Sequence, residues 1–220
     1  MNLTKAFIVL FGLICLNSCH DEKGGEKKLL VTKGKEMAKL PYFNSALFTP
    51  DWKNNTHKIP SFSFTNQEGE EVTNKTFEGK IYITDFFFTI CPGICTKLTA
   101  NMGTLRDAYQ EDPDIMLLSH TVMPWNDTVD KLAEYAQENN VSLPKWNLVT
   151  GDKDAIYDIA RNGYFADEDF IKTQKEEDFI HTENFILVDK EGYIRGVYNG
   201  TLAFDVKRLM RHIAILKQEY

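Results

Sequence analysis

Cys91 and Cys95 are the residues of this 220-residue chain whose type and spacing first suggest chemistry. They lie in the stretch "TDFFFTICPGICTKL", directly after a run of aromatic residues. Thiolates attack disulfides and bind soft metal ions, and a helix N-terminus stabilises the thiolate through its free N–H groups and its dipole. The pair is therefore a candidate redox couple, a candidate metal site or only a pair of core thiols.

The spacing of the two cysteines bears on these alternatives. Redox pairs at a strand-to-helix junction usually have two intervening residues, whereas three separate Cys91 from Cys95. Residues i and i+4 of a regular helix have Cβ atoms about 5 to 6 Å apart, and a relaxed disulfide needs roughly 3.5 to 4.5 Å. A metal ion tolerates the wider gap better, but Gly93 gives the backbone freedom to close a bridge.

A soft metal ion held by two thiolates needs a further ligand, and the folded part of the chain offers four histidines. Imidazole suits copper, and thiolate favours Cu(I) in particular. His57 and His212 lie in charged, polar contexts that indicate the surface, and His120 lies in a buried strand. His181, in "DFIHTENF", can lie near the strand end that carries Cys91, so it is either a ligand or a structural residue.

Thioredoxin-type oxidoreductases place a cis-proline just before the last hairpin, beside the active disulfide. Here the last proline of the chain is Pro144, and none lies in the final hairpin region. This pattern argues against a general disulfide exchanger.

The elements around the thiol pair indicate an α/β fold with a central mixed sheet, helices on both of its faces and an N-terminal hairpin. The predicted hairpin turns at Glu68-Gly69 and the predicted buried strands cover 81–88 and 114–123. Pro92 is expected to start the helix that carries Cys95, and Asp127 to cap a helix over 127–139.

The first residues predict export. Lys5 and the apolar segment 6–16 precede "LNSC", which resembles the lipobox of bacterial lipoproteins. We expect a signal peptide over 1–18, lipidation of Cys19, a flexible tether over 19–45 and one folded domain over 46–220, anchored in the cell envelope and facing the periplasm. The alternative is an ordinary apolar N-terminal helix with a chance cysteine.

Composition excludes one class of partner. The formal charge is −7, and the Lys and Arg residues are scattered among carboxylates. Without a basic stripe the protein is not expected to bind nucleic acid.

The stretches "FFFTICPGICTKL" and "DFIHTENFILVDKEG" together resemble the Sco/SenC family of copper-binding cytochrome c oxidase assembly proteins. The resemblance implies a thioredoxin-like fold in which Cys91, Cys95 and His181 bind one copper ion, as Cu(I), Cu(II) or both. It also implies that the same two cysteines form a redox-active disulfide.

Two departures from the family pattern concern the surroundings of the copper ion. Thr96 replaces a common proline, and the family's Asp-Pro-Glu-Arg-Asp-Thr appears as "MPWNDT", residues 123–128. Met123 and Asp127 could thus lie beside the ligands, where the Met123 thioether would favour Cu(I). Met123 could equally pack at a strand end.

The leading functional hypothesis is a membrane-tethered metallochaperone, not an enzyme, with cytochrome c oxidase subunit II or another copper acceptor as its partner. It would deliver copper to the binuclear copper centre of that subunit or prepare its thiols. The alternatives are a thiol:disulfide oxidoreductase of the cell envelope and a domain with a structural disulfide. The Pro-x-x-x-Thr/Ser-x-x-Cys pattern of peroxiredoxins has no counterpart before Cys91.

Overall fold

The computed structural model describes residues 39–167, 180 and 182–220. The predicted signal peptide, Cys19 and most of the predicted tether lie outside the described residues, as do 168–179 and His181. The predictions for Cys19 and His181 therefore remain predictions. Within the described part of the chain, no helix is long and apolar enough to cross a membrane.

A seven-stranded mixed sheet forms the centre of the body, with strand order β4-β3-β7-β6-β5-β8-β9. The three central strands β5, β6 and β7 are parallel, and the pairs outside them are antiparallel. The sheet strands are β3 Ser63–Asn66, β4 Glu71–Thr73, β5 Ile81–Phe87, β6 Ile115–Thr121, β7 Trp146–Thr150, β8 Asn184–Val188 and β9 Ile194–Asn199, and a separate two-stranded ladder joins β1 Tyr42–Phe43 to β2 Pro50–Asp51. This arrangement confirms the predicted mixed sheet.

Helices cover both faces of the sheet. They are α1 Ile94–Ala108, α2 Val129–Glu138, α3 Lys153–Asp158 and α4 Ala203–Leu216, with a 3-10 helix at Asn74–Phe77 and a π-helix at Ile159–Gly163. Apolar residues of α1, α2 and α4 share one core cluster, whereas α3, the π-helix and the 3-10 helix contribute to a second. The α/β prediction with helices on both faces is confirmed.

Strand β5 explains where the thiols lie. All seven of its residues are buried, as expected of a central strand covered by helices on both faces. It pairs in parallel with β6, from Ile81 opposite Ile115 to Phe87 opposite Thr121. Both strands therefore end at the same edge of the sheet, and we call this edge, from Phe87 and Thr121 onward, the thiol end.

The predicted N-terminal hairpin is confirmed by strands β3 and β4, which pair with Ser63 opposite Thr73. Gly69 in the turn has φ of 80°. Because an L-side chain rarely adopts that conformation, glycine is the residue that suits the turn.

The predicted start of the folded domain at residue 46 is too late. Leu40 is buried, its carbonyl oxygen accepts a 2.6 Å hydrogen bond from Arg195, and its N–H donates to Glu219 at 2.8 Å. The Arg195 guanidinium also lies 4.2 Å from the centre of the Tyr42 ring. Residues 40–42 thus belong to the body because they complete a buried charge network with the C-terminal residues.

Candidate metal centre

The thiol end brings Cys91 and Cys95 together where β5 gives way to α1. The helix begins at Ile94 with Gly93 as its N-cap, so the prediction that Pro92 starts it is wrong. Cys91 lies before the helix and Cys95 lies in its first turn, and both thiols are free. Because Cys91 is not part of the helix, the spacing of about 5 to 6 Å between the Cβ atoms of helical residues i and i+4 does not apply to this pair.

Cys91 is the accessible thiol of the pair, and it is half-buried. Burial raises the pKa of its thiol, but hydrogen bonds from the Cys95 thiol and from the backbone N–H groups of Cys95, Gly93 and Ile94 outweigh that effect and leave the pKa below its ordinary value. These are the free N–H groups of the first turn of α1, which stabilise negative charge. Cys91 is thus the better nucleophile and the readier metal ligand.

Cys95 is 3% exposed. Burial raises the pKa of its thiol to about 12, and the negative charges of Cys91 and Asp85 act in the same direction. The pair therefore holds one thiol whose pKa lies below its ordinary value and one whose pKa is raised well above it.

Asp85 is a buried carboxyl group that the sequence prediction missed. It is 2% exposed within β5, and its Oδ1 atom has no hydrogen-bond partner in the described residues. Burial raises its pKa to about 7, against the smaller opposing effects of the Ser119 hydroxyl and its own N–H. An acid inside the apolar run "IYITDFFF" was the signal that could have identified it.

Asp127 does not cap α2. The N-cap is Thr128, whose hydroxyl accepts from the N–H of Lys131, so the predicted capping role is wrong. The fully buried Asp127 carboxylate accepts instead from Thr89 N at 3.1 Å, Thr89 Oγ1 at 2.6 Å, Thr121 Oγ1 at 2.5 Å and Asn126 Nδ2 at 2.7 Å. It joins the end of β6 to the segment that leads into Cys91.

Met123 follows β6 at the same edge of the sheet and is partly buried. Its backbone is hydrogen-bonded at both polar groups. The N–H donates to Thr121 Oγ1 at 3.0 Å, and the carbonyl oxygen accepts from the N–H groups of Asn126 and Asp127. A place beside the ligands for Met123 stays a prediction. No group of three or more His, Cys, Asp and Glu side chains suited to a metal ion occurs among the described residues, which exclude His181.

The other three histidines have structural partners. His120 is fully buried and its Nδ1 lies 3.2 Å from Thr84 Oγ1, as predicted for a core residue. His57 and His212 were predicted at the surface, but both are partly buried. His57 Nε2 bonds to the Gly163 carbonyl at 2.7 Å, and His212 Nδ1 bonds to the Tyr198 hydroxyl at 2.8 Å.

Alkylation should distinguish the two thiols. We expect iodoacetamide at pH 7 to modify Cys91 about a hundredfold faster than Cys95, because the Cys91 pKa is lowered and Cys95 is buried with a pKa of about 12. Mass spectrometry of the reduced Cys91→Ser and Cys95→Ser variants measures each thiol separately. Equal rates in the two variants would contradict this assignment.

A central mixed sheet with helices on both faces, and a Cys-x-x-x-Cys pair at the N-terminus of the helix that follows a central strand, define a thioredoxin-like protein with a reactive dithiol. Comparison with known protein families identifies the family. The sequence model of the SCO1/SenC family matches residues 50–217. The chain belongs to this family.

Solved structures of other proteins share the fold. A SCO1/SenC family lipoprotein from Bacillus anthracis is 27% identical with a TM-score of 0.63, over 76% of this chain and 98% of that one. BsSco, described with a disulfide switch and as a member of the Sco family of cytochrome c oxidase assembly proteins, is 26% identical with a TM-score of 0.61, over 73% and 93%. Arabidopsis thaliana ScoI with copper bound is 26% identical with a TM-score of 0.57, over 74% and 99%.

Proposed function

We propose that the protein is a copper-binding metallochaperone, tethered to a membrane, that delivers copper to the binuclear copper centre of cytochrome c oxidase subunit II or prepares the thiols of that centre. The observation that carries the proposal is the thiol pair, with the lowered pKa of Cys91 beside the buried Cys95. Two soft sulfur donors suit Cu(I). The similarity to a ScoI that was solved with copper bound supports the choice of metal.

In this proposal Cys91, Cys95 and His181 bind copper, which is cargo and not a resident cofactor. The lowered pKa of Cys91 favours its thiolate, whereas Cys95, with its raised pKa, must lose its proton when the metal binds. An acceptor thiolate would then enter from the exposed side of Cys91 and replace the ligands one at a time. Asp127 holds the segment that presents Cys91, through Thr89.

Tethering is proposed from the N-terminal sequence, in which "LNSC" marks Cys19 for lipidation. The structurally similar Bacillus anthracis protein is described as a lipoprotein, which supports this part of the proposal. The folded body would then face the periplasm at a membrane surface, where a membrane-bound oxidase is accessible to it.

A second candidate is a thiol:disulfide oxidoreductase of the cell envelope that uses Cys91 and Cys95. The observation in its favour is the unequal pair of thiols, since a thiol of lowered pKa beside a buried thiol of raised pKa suits thiol exchange. The disulfide switch described for BsSco points the same way. This activity does not need His181.

Anaerobic Cu(I) titration tests the proposed function. We expect the reduced protein to bind one equivalent, Cys91→Ser and Cys95→Ser to lose tight binding, and His181→Ala to weaken binding by about tenfold or more, because each removes one donor. His212→Ala is the matched control, since His212 bonds to Tyr198 in the core.

Unchanged affinity in His181→Ala and in Cys91→Ser would overturn the copper proposal. Reduction of insulin with copper chelated separates the second candidate, because an oxidoreductase would retain its rate in His181→Ala and lose it in Cys91→Ser.

A further inference from the structure

The chain enters the folded body at the end of the sheet opposite the thiol end. The carbonyl oxygens of Leu40 and Pro41 accept hydrogen bonds from Arg195 at 2.6 and 3.2 Å. Arg195 lies at the start of β9, and the antiparallel pairing of β9 with β8 and of β8 with β5 places that start beside the beginning of β5. Because β5 has seven residues, about 20 Å of strand separates this entry point from the thiol end.

The ladder of β1 and β2 lies at the same end and is fixed to the body. The ring of Tyr42 packs edge-on against Tyr193, with ring centres 5.7 Å apart, and Phe48 packs against Phe165 at 6.3 Å. Phe43 packs against the second core cluster. The ladder therefore presents its exposed residues from a defined position on the body.

Two large apolar side chains of this ladder are exposed. Leu47, between β1 and β2, is 82% exposed, and Trp52, directly after β2, is 66% exposed. Lys39 and Lys53, on either side of the ladder, are exposed as well. We call these four residues the ladder patch.

The chemistry of the ladder patch fits a lipid surface. Tryptophan favours the boundary between lipid tails and headgroups, and lysine is attracted to anionic headgroups. Asp51 is the one acidic residue between positions 39 and 56. Its carboxylate accepts hydrogen bonds from the N–H groups of Lys53 and Asn54 at 2.9 and 3.0 Å, so its charge is already stabilised within the chain.

We propose that the ladder patch rests on the surface of a phospholipid bilayer and thereby points the thiol end away from the membrane. This inference rests on the tethering part of the proposed function, in which the lipid at Cys19 lies 20 positions before Lys39. A flexible chain of that length has a root-mean-square span of about 25 Å, so the tether holds the patch near the bilayer at high effective concentration. A weak contact is then enough to orient the body.

This orientation bears on how a partner reaches the thiols. With the ladder patch on the bilayer, the strands hold Cys91 about 20 Å or more above the lipid headgroups. The accessible thiol then faces the periplasmic domain of a membrane-bound partner and not the lipid itself.

Tryptophan fluorescence tests the contact. The full-length lipidated protein is reconstituted in vesicles of phosphatidylethanolamine and phosphatidylglycerol, with and without phosphatidylcholine brominated near the headgroup, which quenches nearby tryptophans. Trp146 is 1% exposed and serves as a constant background. Trp125 is the matched control for Trp52, because it is 56% exposed and follows β6 at the thiol end.

Two variants report on the two exposed tryptophans separately. Brominated lipid should quench the emission of Trp125→Phe, in which Trp52 remains, by about a third or more, and should change that of Trp52→Phe by less than about a tenth. Adding Leu47→Ser to Trp125→Phe should reduce the quenching by about half, since it removes apolar surface from the contact. Adding Leu202→Ser, which changes an exposed leucine of the thiol end, should leave the quenching as it was.

Equal quenching of the two tryptophan variants, or none in either, would overturn the proposed orientation, and so would equal effects of Leu47→Ser and Leu202→Ser. Mass spectrometry of the N-terminal peptide tests the tether separately. A lipidated chain whose Trp52 stays unquenched refutes the orientation and leaves the tethering intact. A chain without lipid at Cys19 refutes the tethering and, with it, the orientation.

Discussion

Asp127→Asn should destabilise the protein by about 3 kcal/mol, although it replaces one side chain by another of the same shape. The carboxylate of Asp127 accepts hydrogen bonds from two hydroxyls, one amide and one backbone N–H. Hydrogen bonds to a charged group contribute roughly 1.5 to 3 kcal/mol each, and an unsatisfied buried donor has a similar cost. If the new amide keeps its oxygen towards the N–H of Thr89, its NH2 group faces the Thr89 hydroxyl and the Asn126 NH2, both of which donate to the carboxylate in the unmodified protein.

Urea or thermal unfolding measures this effect, and a loss of 3 kcal/mol corresponds to about 6 to 12 °C in Tm for a domain of this size. The matched control is Asp130→Asn, because Asp130 lies exposed in the first turn of the same helix. It should change stability by less than about 0.5 kcal/mol. Equal effects of the two substitutions would show that the buried carboxylate has no special role.

The sequence predicts the sheet and the position of the thiols because local pattern and burial agree there. The run over β5 is continuously apolar and aromatic except for Thr84 and Asp85, and a strand buried on both faces requires that pattern. The thiols follow it directly, so a prediction of the strand also fixes the edge of the sheet at which Cys91 lies.

The role of Asp127 could not be predicted because it depends on a distant contact. Residues 126–128 read Asn-Asp-Thr, and each of these residue types is a good N-cap. Asp127 does not cap the helix because its carboxylate accepts hydrogen bonds from Thr89, which lies 38 positions earlier in the chain. Thr128 then takes the cap.

The start of α1 was misplaced for a local reason. Proline favours the first turn of a helix, and this preference predicted a start at Pro92. Gly93 instead adopts φ of −125° and ψ of −107°, which is not helical, so the helix begins at Ile94, two residues after Pro92. That backbone conformation aims the N–H groups of Gly93, Ile94 and Cys95 at the Cys91 sulfur.

Asp85→Asn should change the pH dependence of stability more than any exposed substitution. The pKa of Asp85 is raised by burial from 3.8 to about 7, so its contribution to stability is complete below pH 4 and is lost as the pH rises through 7. Each unit between the folded and unfolded pKa values is worth about 1.4 kcal/mol, which gives at most about 4 kcal/mol. The neutral amide does not suffer this loss.

His120, on the other face of the sheet, has the opposite effect on the pH dependence of stability. Burial lowers its pKa from 6.5 to about 3, so its contribution is complete above pH 6.5 and is lost as the pH falls toward 3. Between pH 4 and 6.5 the two buried groups therefore nearly cancel, and the stability of the unmodified protein should be almost flat in this range.

The Asp85→Asn variant should match the unmodified protein near pH 4, where the carboxyl group is protonated, and exceed it in stability by up to about 4 kcal/mol at pH 8. Its stability should also fall steeply below pH 6.5, since His120 alone then titrates. Urea unfolding across pH 4 to 8 measures both effects. A Cys91→Ser background removes the accessible thiol, whereas Cys95 and Tyr135, with pKa values of about 12, remain neutral. If the stability of the two proteins changed in parallel from pH 4 to 8, the assignment of Asp85 as a buried carboxyl group that is protonated up to neutral pH would be wrong.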